Sequence, residues 1–140
     1  MPQIVDSIMS TPVVSVEMDD KLSLVNSLFE KTRFHHLVVV DNKQLVGIIS
    51  DRDLFKALTP TVGTAAETSA DLAILNKKAH QIMSRDPVHL KQKDDIKKAV
   101  IAFREHKVSC LPVVNERQVP VGILSWRDII KALDISLQPE

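Results

Sequence analysis

Gly47-Ile48-Ile49-Ser50-Asp51-Arg52-Asp53 returns, about 75 residues further along the chain, as Gly122-Ile123-Leu124-Ser125-Trp126-Arg127-Asp128. Each copy reads as an apolar strand running into a helix, because Ser-x-x-Asp stands directly before a helical apolar pattern. Working outward, Ile8-Met9-Ser10 with Pro12-Val13 returns as Ile82-Met83-Ser84 with Pro87-Val88. His36-Leu37-Val38-Val39-Val40 returns as Cys110-Leu111-Pro112-Val113-Val114, and Lys56-Ala57-Leu58 as Lys131-Ala132-Leu133. The blocks keep their order and nearly their spacing. That period is too long for a stacked solenoid unit and suits two compact halves.

Each copy therefore reads as β-α-β-β-α. The first strands fall at 13–16 and 88–90, and Asp20 and Asp94 stand where the following helices need an N-cap. Leu22, Val25 and Phe29 recur at helical spacing, as do Ile96, Ala99, Val100 and Phe103. β-branched runs at 37–40 and 111–114 predict buried strands. Turns at 41–44 and 115–118 lead back into strands at 46–49 and 121–124. The closing helices start near Ser50 and Ser125 and are expected to bury Leu54, Phe55 and Leu58, or Ile129, Ile130 and Leu133. Between the copies, Thr59-Pro60-Thr61-Val62-Gly63 is a helix stop. Residues 67–81 then predict a docked helix with Leu72, Leu75, Ala79 and Ile82 on one stripe. The expected organisation is a first motif over 1–60, a partly helical linker over 61–78 and a second motif over 79–140. The fold class is α+β (α/β). Neither half buries its sheet face alone, so the two motifs are expected to pack through their sheets around a pseudo-two-fold axis as one module.

The 140 residues are 44% hydrophobic and 26% charged, enough for a core without disulfides or metals. Eighteen basic residues balance 18 acidic ones, so no basic field draws the chain to nucleic acid or a membrane surface. Cys110 is the single cysteine, which fits a reducing compartment. The first residues lack a signal-peptide pattern, and no apolar run approaches the roughly 20 residues that span a bilayer. The expected location is cytoplasmic.

The chemistry-bearing candidates lie at the closing helices. A helix N-terminus offers N–H groups and partial positive charge to phosphate, and the Ser50 or Ser125 hydroxyl adds a donor. Asp53 or Asp128, one turn on, has the geometry to accept from a ribose diol. The same Ser-x-x-Asp spacing also makes a capping box that merely closes the helix, and both readings stand together. Arg52 and Arg127 could reach phosphate or simply lie in solvent. Trp126 either flanks a cleft or covers surface. Gly47 and Gly122 mark either a close approach of another backbone or a ligand, or tight packing between the two sheets. His35 and His36 are adjacent and cannot easily share an ion, and His80, His89 and His106 form no ligand spacing with Cys110, so no metal site is expected. Cys110 has no partner for nucleophilic chemistry, and its expected role is that of a small hydrophobe. No P-loop, nucleophile elbow, zinc or dinucleotide signature is present, so no enzyme is expected and no catalytic residue is assigned.

With the Ile-Met-Ser openings, the Leu-Pro-Val-Val strand and both Gly-h-h-Ser-x-Arg-Asp blocks (h is apolar), each half resembles the cystathionine-β-synthase (CBS) domain. The pair resembles the stand-alone tandem form, with Val38 replacing the usual proline seen at Pro112. The resemblance implies a regulatory, energy-sensing module that binds AMP, ADP, ATP or S-adenosylmethionine in a cleft between the motifs, with no required cofactor. Asp53 and Asp128 match the ribose-binding acid, and Ser50 and Ser125 the phosphate-side hydroxyl. The adenine base would lie against Ile8, Pro12, Val13, His36 and Val38, and against Ile82, Pro87, Val88, Cys110 and Pro112. Which set faces which carboxylate is left open. The resemblance also implies a homodimer through the motif helices and an effector protein of unknown identity. The rival reading is a ligand-free dimerisation and interaction scaffold.

Overall fold

A computed structural model of the protein describes residues 3–58, 65–66 and 68–137. In chain order it contains β1 (Ser15–Glu17), α1 (Leu22–Lys31), β2 (His36–Asp41), β3 (Gln44–Ser50), α2 (Asp51–Ala57) and α3 (Ser69–Leu75). Then follow β4 (Ser84–Arg85), β5 (Leu90–Lys91), α4 (Ile96–Glu105), β6 (Cys110–Val114), β7 (Pro120–Ser125) and α5 (Trp126–Leu137). Short 3-10 helices at Val5–Ser7 and Ala79–Gln81 stand before the two repeats' first strands. The strands form two sheets, ordered β1-β2-β3-β4 and β5-β6-β7. This is the mixed α+β architecture expected from the repeat. The proposed helix stop at 59–63 lies outside the described residues.

Each sheet mixes parallel and antiparallel pairing. β1 runs parallel to β2, as β5 does to β6, because a helix crosses between them. A two-residue connection links β2 and β3, with Asn42 and Lys43 at φ 53° and 70°, the left-handed geometry that matches strand twist. The second hairpin is longer. There the Asn115 carboxamide oxygen accepts from the N–H groups of Arg117 (2.8 Å) and Val119 (3.1 Å).

The chain divides into two compact units that interleave in sequence. One comprises Met1–Val13, Lys43–Leu45 and Pro87–Glu140, the other Val14–Asn42 and Val46–Asp86. Each repeat's Ile-Met-Ser opening thus belongs to the unit of the other repeat's sheet. Backbone pairing causes this. Ser10 exchanges N–H···O bonds with Ile123 (2.8 and 3.1 Å), and Val5 N–H donates to the Asp94 carbonyl (2.8 Å). In the other unit Ala79 N–H donates to the Asp20 carbonyl (2.7 Å), and Ser84 pairs with Ile48. Lys43–Leu45 joins the first through Leu45 N–H on the Gln118 carbonyl (2.9 Å).

Each unit has its own core. Val5, Leu90, Ala99, Phe103, Leu111, Val113, Leu124 and Ile129 make one, and Val16, Leu22, Val25, Leu37, Val39, Ile49, Leu54 and Ala79 the other. Three sequence expectations are corrected. Asp20 and Asp94 are not helix N-caps: their carboxylates accept from Glu17 N–H (2.7 Å) and Lys91 N–H (2.8 Å), bracing the strand ends. Lys21 and Asp95 occupy the cap positions. Phe55, Ile130 and Leu133 are exposed and Leu58 is half-buried, so of the six residues expected inside only Leu54 and Ile129 are buried. The linker helix is shorter than 67–81 and leaves Leu72 exposed. It starts at a Thr68–Asp71 capping box and ends at Asn76, where Lys77 turns its carbonyl to Leu22 N–H (2.8 Å). Tertiary pairing outcompetes the last helical turn.

Both repeat glycines serve this exchange. A β-carbon on Gly122 would meet the Met9 side chain and lie 3.1 Å from the Ser10 carbonyl oxygen, and one on Gly47 would meet Met83 and the Ser84 carbonyl likewise. The close approach inferred from sequence is therefore the opening segment of the other repeat. Gly122→Ala is expected to lower unfolding free energy by about 1–3 kcal/mol. Urea denaturation checks it, and an unchanged midpoint would show that Met9 yields freely.

Candidate functional site

The two Ser-x-x-Asp pairs close their helices as capping boxes. In α2 the Ser50 hydroxyl oxygen accepts from Asp53 N–H (3.1 Å), and an Asp53 carboxylate oxygen accepts from Ser50 N–H (2.9 Å). At α5 the Asp128 carboxylate accepts from Ser125 N–H (2.9 Å) and from the Ser125 hydroxyl (3.2 Å). Each carboxylate is half-buried, so it is held in place yet reaches solvent. A carboxylate oxygen can accept more than one hydrogen bond, so capping leaves acceptor capacity for a ribose diol.

The two carboxylates differ in their other oxygen. Asp128 Oδ1 accepts from the Ser10 hydroxyl at 2.9 Å, which ties the opening segment to the closing helix. Ser10 was legible as part of the repeat but not as a partner of Asp128, since 118 residues separate them. A second difference lies one residue past each serine. Trp126 stacks at 4.8 Å on Phe103 and stays partly exposed. Asp51 instead takes a hydrogen bond from His35 Nδ1 (2.8 Å), while its own N–H donates to the His35 carbonyl (2.9 Å). Desolvation pushes the Asp51 carboxyl up, but the His35 contact and the Arg52 N–H outweigh it and hold the group below its usual range. Burial depresses the His36 imidazole, against the opposing pull of Asp51.

The units also sort the expected base-contact residues. Ile8, Pro12 and Val13 share a unit with Pro87, Val88, Cys110, Pro112, Ser125, Arg127 and Asp128. Ile82 shares the other with His36, Val38, Ser50, Arg52 and Asp53. Ile8, Val13, His36, Ile82, Pro87 and Val88 are half-buried and Pro12 is exposed, whereas Val38, Cys110 and Pro112 are buried in strands. Burial drives the Cys110 thiol up to about 12, so at neutral pH it is a protonated, apolar-packed group. Arg52 and Arg127 are exposed. Among the described residues no cluster of three His, Cys, Asp or Glu could hold a metal ion. No helix there is long and apolar enough to cross a membrane.

A cavity of about 530 Å³ lies elsewhere, lined by Lys91–Asp94 and Val114–Arg117. It sits at the Val114 end of β6, whereas Ser125 pairs with Cys110 at the other end, roughly 13 Å away by strand rise. It is separate from the Ser125–Asp128 pair.

Two β-α-β-β-α repeats, each closing on a helix that starts at Ser-x-x-Asp, define a tandem-repeat α+β class of fold. The CBS domain family matches residues 5–60 and 79–135, and the chain belongs to that family as a CBS pair. A homoserine O-acetyltransferase of Methanococcus vannielii is 28% identical over 134 residues, 95% of this chain and 25% of its own length. The chain thus spans about a quarter of that relative. A CBS domain-containing protein of Dictyostelium discoideum is 28% identical over 141 residues, covering 99% of this chain and 97% of its own. The solved CBS domain pair of protein MJ0100, in complex with 5′-methylthioadenosine and S-adenosyl-L-methionine, superposes with a TM-score of 0.74 at 25% identity. That match covers 94% of this chain and 99% of the other.

Proposed function

We propose that this CBS pair is a non-enzymatic regulatory module that binds an adenosine-type ligand through its two Ser-x-x-Asp helix starts. The observation that carries the reading is the paired, half-buried carboxylates of Asp53 and Asp128, each fixed one turn into a helix beside a serine hydroxyl. The solved pair of MJ0100, crystallised with two adenosyl compounds, supports that ligand class. AMP, ADP, ATP and S-adenosylmethionine are the candidates, and no resident cofactor is needed. Asp53 and Asp128 take the ribose, Ser50, Ser125, Arg52 and Arg127 lie on its 5′ side, and the half-buried apolar residues near the opening segments take the base. Ligand acts by favouring one packing of the module over another, which requires tighter binding to that arrangement. The exposed Phe55, Ile130 and Leu133 support signalling through a homodimer or an effector protein. The capping boxes alone support the rival reading of a ligand-free scaffold. A cytoplasmic location follows from the same reading.

A thermal-shift screen against AMP, ADP, ATP, S-adenosylmethionine, 5′-methylthioadenosine and GTP tests this. Adenosyl ligand at about 100 times its dissociation constant is expected to stabilise the fold by roughly 2.7 kcal/mol. No shift with any adenosyl compound, in folded and ligand-free protein, leaves the scaffold reading.

A further inference from the structure

We propose that the cavity of about 530 Å³ at the Val114 end of β6 is a second binding site, for a small molecule that carries a diphosphate or a similar cluster of negative charge. The proposal does not rest on the adenosyl reading.

The cavity lies within one unit, between the turn from β5 to α4 and the turn from β6 to β7. Each wall is held by its own hydrogen bonds. In the first, Asp94 N–H donates to the Lys91 carbonyl (3.1 Å), and Gln92 N–H to the Val114 carbonyl (3.2 Å). The opening segment braces the same turn, with Asp6 N–H on the Gln92 carbonyl (2.9 Å). In the second, the Asn115 side-chain oxygen holds the N–H groups of Arg117 and Val119, and the Gln44 carboxamide donates to the Arg117 carbonyl (3.2 Å). The cavity is thus preformed, and its volume falls in the range of small-molecule sites.

Its lining selects for anions. Lys91, Lys93 and Arg117 share it with two acids, Asp94 and Glu116. Lys98 Nζ, from outside the lining, stands 3.5 Å from the Asp94 carboxylate and answers its charge. Glu116 is then left to oppose three cations. Both hydrogen bonds to Asn115 fall on its oxygen, so its side chain offers a ligand the NH₂ donor. Arg117 brings a planar fork suited to phosphate oxygens, and the lysines bring point charges.

The repeat shows that the fold does not call for this charge. The matching places in the first copy hold Glu17-Met18-Asp19-Asp20 and, after Val40, Asp41-Asn42-Lys43. Asp20 and Asp94 make the same strand-end bond, so that aspartate is structural in both copies. Lys91 and Lys93 stand where the first copy has Glu17 and Asp19, so the turn closes equally well on acids. A ligand of opposite charge accounts for the difference.

An NMR titration of the isotope-labelled protein with inorganic pyrophosphate, at constant ionic strength and without divalent ions, tests it. Saturable amide shifts are expected at Lys91–Asp94 and Asn115–Arg117. Lys93→Gln combined with Arg117→Gln is expected to weaken binding about tenfold. Lys31→Gln, an exposed cation on α1 in the other unit, is expected to leave it unchanged. Glu116→Gln is expected to tighten binding about threefold, a gain that damage to the fold cannot produce. The proposal is overturned by the absence of a saturable shift, or by shifts centred on Ser50–Asp53 or Ser125–Asp128. Equal weakening by Lys31→Gln, or an affinity unmoved by the Lys93 and Arg117 changes or by Glu116→Gln, overturns it as well.

Discussion

Leu54→Ala is expected to lower the unfolding free energy by about 2–5 kcal/mol, whereas Phe55→Ala, one residue along α2, changes it by less than about 0.5 kcal/mol in dilute protein. The two side chains are both large and apolar, and the repeat pattern places both in the core. They differ in direction. Leu54 is 1% exposed and packs with Val25, Leu37 and Ile49, so its truncation removes buried contacts and leaves a cavity. Phe55 is 69% exposed, and its truncation removes only a surface ring. Urea denaturation of both variants at one low concentration measures the difference. A concentration series adds a second result. If Phe55, Ile130 and Leu133 form the proposed dimer surface, Phe55→Ala lowers the midpoint of the concentrated protein while leaving the dilute one unchanged. Equal losses for the two variants at low concentration would contradict the outward orientation of Phe55.

The second large effect concerns the carboxylates. Asp53→Ala and Asp128→Ala are each expected to cost about 0.5–2 kcal/mol in ligand-free protein, because each removes a capping partner. On the binding reading, each also removes the ligand-induced stabilisation of its own site, up to roughly 2.7 kcal/mol at saturating ligand. The two effects separate cleanly, since the first is read without ligand and the second as the shift that ligand adds. A double variant that still shows the full adenosyl shift would confine both aspartates to capping.

The repeat alone determined a good deal. Because two ordered sets of blocks recur in one chain, the β-α-β-β-α order of each copy was legible without coordinates. So was the start of each closing helix, because Ser-x-x-Asp states its own cap and the hydrogen bonds it needs are local. The resemblance to CBS domains was carried by the same short blocks. Several features were not legible, and each depends on contacts between residues distant in sequence. The Ile-Met-Ser openings read as the front of their own repeats, yet Ser10 bonds to Ile123 and Asp128, and Ala79 to Asp20. Local periodicity carries no information about which sheet edge a strand-like segment will join. It also could not tell Phe55 from Leu54, since an amphipathic stripe about a turn wide admits either residue until a partner surface chooses the helix rotation. The predicted helix over 67–81 stops early for a related reason: the Lys77 carbonyl finds Leu22 across the fold rather than a neighbour in its own helix. The identity of residue 51 was plain from the start, but its meaning was not. Only the folded chain brings His35 and the Arg52 N–H to that carboxylate, turning one acidic residue into a fixed charge at the start of α2.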